Sequence, residues 1–203
     1  MRDHRLIERM MELDYVKVKG NRFARTMTDV PVTIAGDRET PRQAIIDVLV
    51  PAYTSRPRQN RRISEHLVTT EVPGLATALN RAPVVMALEL RRLNGEELDA
   101  ELSFPNEVAA LVLKSLATRV RSKATDIVDL WRCLEVGYAA GVSHKEFADG
   151  EPAEAMTIIR ALFDERDGAG MTALVAEQRL SDRSGDERFT RVRALMARVL
   201  GTA

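Results

Sequence analysis

The sequence predicts an α+β fold: a mixed or antiparallel sheet within residues 1–104, followed by a helical region over 105–203. Three observations carry this. Before Pro105 the apolar residues alternate with polar ones in short runs, as in Tyr15 to Lys19, and turn signals such as Gly20-Asn21 separate the runs. After Pro105 they recur at helical spacing, as in Ile127, Leu130, Trp131 and Leu134. The change is abrupt, and neither half contains an internal repeat or a low-complexity tract.

In chain order, Asp3 to Leu13 predicts a short amphipathic helix with Leu6, Ile7, Met10 and Leu13 on one side. Tyr15 to Lys19 and Arg22 to Met27 predict two strands of a hairpin closed at Gly20-Asn21. Val30 to Ile34 and Ala44 to Val50 are further strand candidates, separated by the polar stretch Gly36 to Pro41. Ala44 to Val50 is the most apolar run of the chain, interrupted by Asp47 and ended by Pro51. Arg56 to Arg62 reads as a basic loop. Val72 to Leu75 reads as a turn into the short segment Ala76 to Leu79. Pro83 to Leu93 and Leu98 to Phe104 predict strands joined through Asn94-Gly95. Asn106 is placed to cap the helix that runs into Lys114. Further helices are expected over Asp126 to Tyr138, Pro152 to Arg166, Met171 to Arg179 and Glu187 to Leu200. The polar stretch Ser181 to Asp186 is read as a loop between the last two.

Composition narrows the function classes. Hydrophobic residues make up 45% of 203, ordinary for a packed core. Lys+Arg 30 and Asp+Glu 30 cancel, so any binding to nucleic acid or membrane needs a local patch. The lone Cys133 excludes an intrachain disulfide and a cysteine zinc cluster, and its apolar neighbours point to a buried thiol. No apolar run reaches the ~20 residues of a membrane span. The charged N-terminus has no signal-peptide core, so a cytoplasmic protein is expected.

Two places concentrate chemistry. Asp47 sits inside an apolar strand, with Ile45 and Leu49 at the same parity. A carboxylate buried there needs an ionic partner or a cation. Its chemistry would be Mg²⁺ ligation or proton abstraction from an attacking hydroxyl; the alternative is a solvated polar face. The second place is the corner from Lys114 to Leu134. Thr125 is placed to N-cap the second helix of the corner, with Asp126 and Asp129 in its first turn and on one face. Lys114 can point across the corner at them. Lys114, Arg119, Arg121 and Lys123 form either a solvated face or a set of phosphate contacts. The Arg56 to Arg62 loop reads as solvated, and His4, His66 and His144 lack metal-ligand spacing. Trp131 reads as core, and there is no Gly-rich phosphate loop, nucleophile elbow or HExxH.

Three stretches together resemble the nucleotidyltransferase family that includes the AbiEii toxins of bacterial type IV toxin–antitoxin systems, within the DNA polymerase β-like superfamily. They are Ile45 to Pro51 around Asp47, the turn Pro73-Gly74-Leu75 followed by Ala78-Leu79, and the helical set Lys114, Ala117, Arg121, Lys123, Asp126, Asp129 and Leu130. The likeness covers about Leu6 to Gly141 and departs from the family by the Ala124-Thr125 spacer between Lys123 and Asp126. The resemblance implies a partial nucleotidyltransferase-like sheet and transfer of a nucleotide from an NTP, with Mg²⁺, to RNA or protein. It puts Asp47 in the place of a metal-binding and catalytic aspartate. It puts Lys114 and one of Asp126 or Asp129 in the helical motif that completes the site, with Arg119, Arg121 and Lys123 as candidate nucleotide contacts. The family's Gly-Ser loop and Asp-x-Asp strand are missing from this sequence. Two-metal chemistry needs several carboxylates, so the chain as written is expected to be catalytically incomplete: foremost a truncated form with the missing stretch encoded upstream, otherwise a relic that keeps the fold but not the catalysis, or a shortened protein acting by binding.

Two other functions compete. One is a non-enzymatic interaction protein whose C-terminal helices, with Arg191 and Arg198, dock a partner such as a cognate antitoxin. The other is nucleic-acid binding through Arg56 to Arg62 and Arg119 to Lys123, which would be steeply salt-dependent.

Overall fold

The structure, a computed structural model, describes residues 2–27, 43–52, 57–65, 67–91, 95–121 and 123–202. The strand candidate Val30 to Ile34, the Gly36 to Pro41 stretch, and Arg56, His66 and Asn94 lie outside the described residues, as does the side chain of His4. The fold is α+β, with small antiparallel and mixed sheets mostly in the N-terminal half and seven helices mostly in the C-terminal half of the described residues. It divides into two compact units. The sheet-bearing unit holds Met1–Val72 and Val85–Ser103; the helical unit holds Pro73–Val84 and Phe104–Ala203. The stretch Pro73–Val84 therefore clusters with the helices although it precedes the last two strands.

In the sheet-bearing unit, α1 (Arg2–Glu12) leads into β1 (Val16–Lys19), β2 (Arg22–Thr26) and β3 (Gln43–Asp47), an antiparallel sheet in that order. The turn at Gly20 and Asn21 closes the β1–β2 hairpin, with Gly20 at φ 56. The apolar run expected as one strand over Ala44 to Val50 is two. It breaks at Val48, and β4 (Leu49–Pro51) leaves to pair in parallel with β6 (Val68–Val72). The break has a hydrogen-bonding cause. Val48 donates its N–H to the Asn21 carbonyl (2.9 Å), and its own carbonyl accepts from Asn21 Nδ2 (3.1 Å) and from Thr70 N (3.4 Å). One residue thus stitches the hairpin turn to the second sheet, which β5 (Arg61–Arg62) completes against β6. The strands β7 (Val84–Arg91) and β8 (Glu97–Phe104) form a separate two-stranded ribbon. The core of this unit is small: Met10, Phe23 and Leu67 are buried together, with Ile7, Tyr15, Ile46 and Val48 partly buried around them.

In the helical unit, the Pro73-Gly74-Leu75 turn opens α2 (Leu75–Asn80). Gly74 adopts φ 82, and a Cβ there would lie 3.2 Å from Val112 Cγ1 and from the Leu113 backbone, so this turn requires glycine on both grounds. Then come α3 (Glu107–Val120), α4 (Ala124–Ala139), a 3-10 turn at His144–Phe147, α5 (Gly150–Phe163), α6 (Ala169–Glu177) and α7 (Asp182–Val199). Asn106 caps α3 as its side chain suggested, accepting from Ala109 N at 3.0 Å. Leu111, Leu130, Leu134, Phe147, Ile159 and Phe163 are fully buried in one continuous core. The expected loop from Ser181 to Asp186 is instead the start of α7. Ser181 caps it by accepting from Ser184 N (3.3 Å), and Asp186 meets Arg166 at 2.5 Å. Capping and a tertiary ion pair here outweigh the weak helix propensity of Ser184 and Gly185. Among the described residues no helix is long and apolar enough to cross a membrane.

Candidate functional site

The α3–α4 corner holds most of the expected site residues, and the helices do bring their charges together. Lys114 projects from α3 and donates to Asp129 Oδ2 of α4 at 2.7 Å. Arg132 approaches the same carboxylate at 3.7 Å. Arg121, which ends α3, reaches Asp126 with both Nε (2.9 Å) and Nη2 (3.0 Å). This bidentate fork takes both oxygens of a carboxylate that is only 4% exposed, which accounts for its burial as a charge. Arg119 pairs with Glu154 of α5. Lys123 is exposed just before α4, and its backbone carbonyl accepts from Asp126 N at 3.0 Å.

The cap expected from Thr125 is absent. The helix starts at Ala124, the capping position is Lys123 without a side-chain bond, and of the two aspartates only Asp126 lies in the first turn. The fork from Arg121 across the turn holds this end of the helix instead. Cys133 packs partly buried against the core, and burial pushes its thiol above the ordinary range despite the nearby positive charge of Lys114. The thiol form is therefore the favoured one at neutral pH. At this corner Lys114, Arg119 and Arg121 are each held in an ion pair. For Arg119 or Arg121 to hold a phosphate, that phosphate would have to displace a carboxylate already in place.

Asp47 belongs to the sheet-bearing unit and differs from what its strand neighbours implied. The face of β3 bearing Gln43, Ile45 and Asp47 is the exposed one, and Ala44 and Ile46 turn inward. Ile45 is 52% and Leu49 47% exposed, so the apolar flanks that suggested burial face solvent too. Across the sheet Arg22 stands directly opposite Asp47 in register and grips it with Nε (2.8 Å) and Nη2 (2.9 Å). That hydrogen bonding holds the Asp47 carboxyl below the usual carboxylate range, so it is ionised. Nothing in the sequence alone pairs Arg22 with Asp47, because the intervening stretch hides which strand neighbours β2. Among the described residues no group of three or more His, Cys, Asp or Glu side chains is placed to hold a metal ion.

Other charges the sequence left unassigned are structural. Buried Glu71 accepts from Arg58 N (3.0 Å) and pairs with Arg61, so part of the basic loop serves the second sheet. Glu151, at the start of α5, spans the sequence to the Pro-Gly-Leu turn. It accepts from Gly74 N (2.8 Å), Thr77 N (3.2 Å) and Thr77 Oγ1 (2.6 Å), capping α2 from outside. Arg81 meets Glu146 at 2.8 Å at the other end of α2. On α4, Trp131 lies beneath the Arg188 guanidinium (4.0 Å from the ring centre), and Glu135 is gripped by Arg191 at 3.0 and 2.5 Å. Arg191, read as a partner-docking charge, is thus committed to holding α7 on α4.

Comparison of the chain with protein-family models, curated proteins and solved structures finds no match in any of the three.

Proposed function

We propose that this chain is a non-catalytic interaction protein that associates through apolar strand surfaces of its sheet-bearing unit. The observation that carries the reading is the contrast between satisfied charges and unsatisfied apolar faces. Lys114, Arg119, Arg121, Asp126 and Asp129 are all engaged with one another or with Glu154, and Asp47 with Arg22. Meanwhile Val16, Val18, Ile45, Met86 and Leu102 stand exposed on strands. A Mg²⁺ site would need several oxygen ligands, whereas both Asp47 oxygens are taken by Arg22. As placed, Asp47 offers Mg²⁺ no free oxygen, and no group of three or more His, Cys, Asp or Glu stands near enough among the described residues to complete a shell. The test pairs two titrations. An apolar dye such as anilinonaphthalene sulfonate is expected to bind saturably and to lose sites when Val18 and Leu102 are replaced by Lys. Calorimetry with Mg²⁺ and NTPs is expected to be silent. Mg²⁺-dependent NTP binding that disappears in Asp47→Asn would overturn the reading.

One observation favours a second reading. Asp47 is an ionised carboxylate on an exposed sheet face, within reach of a metal and a nucleotide once they displace the Arg22 fork. In this reading the chain is part of a nucleotidyltransferase-like protein of toxin–antitoxin type. Its other carboxylates and its nucleotide-phosphate contacts come from outside the described residues, and RNA or a protein accepts the nucleotide. The same calorimetry decides it.

A further inference from the structure

We draw no further inference here: the strongest candidate, the apolar groove between α1 and β1 lined by Ile7, Met11, Tyr15, Val16 and Phe23, carries nothing because no feature of the structure shows what covers it.

Discussion

Leu111, Leu130 and Phe163 in the helical unit are fully buried, whereas Val16, Ile45 and Met86 in the sheet-bearing unit each leave roughly half or more of their surface exposed. The two units have similar raw material and different closure. In the helical unit the apolar stripes of α3, α4, α5 and α7 converge on one core, and the charges around it are paired. In the sheet-bearing unit, the cluster among the described residues is small, Met10, Phe23 and Leu67, and Val16, Val18 and Met86 on the strands meet solvent. Ion pairs here hold the helices to one another, and on the proposed reading the uncovered apolar strands are the surface left for a partner.

Removing one side chain from each region separates the two most strongly. Leu130→Ala is expected to destabilise the helical unit by about 2–5 kcal/mol, because a fully buried leucine leaves a cavity. Leu102→Ala in dilute solution is expected to cost within about 0.5 kcal/mol. Urea unfolding read by amide exchange within each unit checks both, and equal costs would erase the distinction between the regions. Next in size is Glu151→Ala, which strips the acceptor from Gly74 N, Thr77 N and Thr77 Oγ1. A loss of about 1–3 kcal/mol is expected, with fast amide exchange confined to residues 74–80.

A smaller effect is expected from pH. Hydrogen bonding from Arg191 holds the Glu135 carboxyl below its ordinary value. Its stabilisation is therefore present above the usual carboxylate range and is lost as pH falls through the lowered folded value. Both side chains are part-exposed, so the magnitude is under about 1 kcal/mol. Glu135→Gln is expected to flatten this acid limb of the melting temperature against pH. The smallest effect is that of Asp47→Asn. It breaks the Arg22 fork on an exposed face and is expected to leave the helical melting transition where it is.

Much of the fold was legible because its signals are local. Gly20-Asn21 announced the first hairpin, Asn106 announced α3, and the spacing of Ile127, Leu130 and Leu134 announced the buried face of α4. The meeting of Lys114 with Asp129 was also legible, since a short helix–helix corner allows few alternatives. What was not legible depends on distant partners. The break at Val48 follows from bonds to Asn21 and Thr70, and the exposure of Ile45 goes with its neighbour Ile46 packing at the Met10, Phe23 and Leu67 cluster. The helical start of α7 depends on Arg166, and the cap on α2 on Glu151. For the site, parity along β3 gave Asp47 an apolar setting but could not say which face was inside, nor that Arg22 stood opposite.

On the proposed reading, the helical unit buries its core by itself and the sheet-bearing unit finishes its burial by association. Differential scanning calorimetry over a hundredfold range of protein concentration tests it most directly. Two transitions are expected, a lower one from the sheet-bearing unit that rises with concentration and a higher one from the helical unit that stays fixed. A single transition, or two that both ignore concentration, would contradict it.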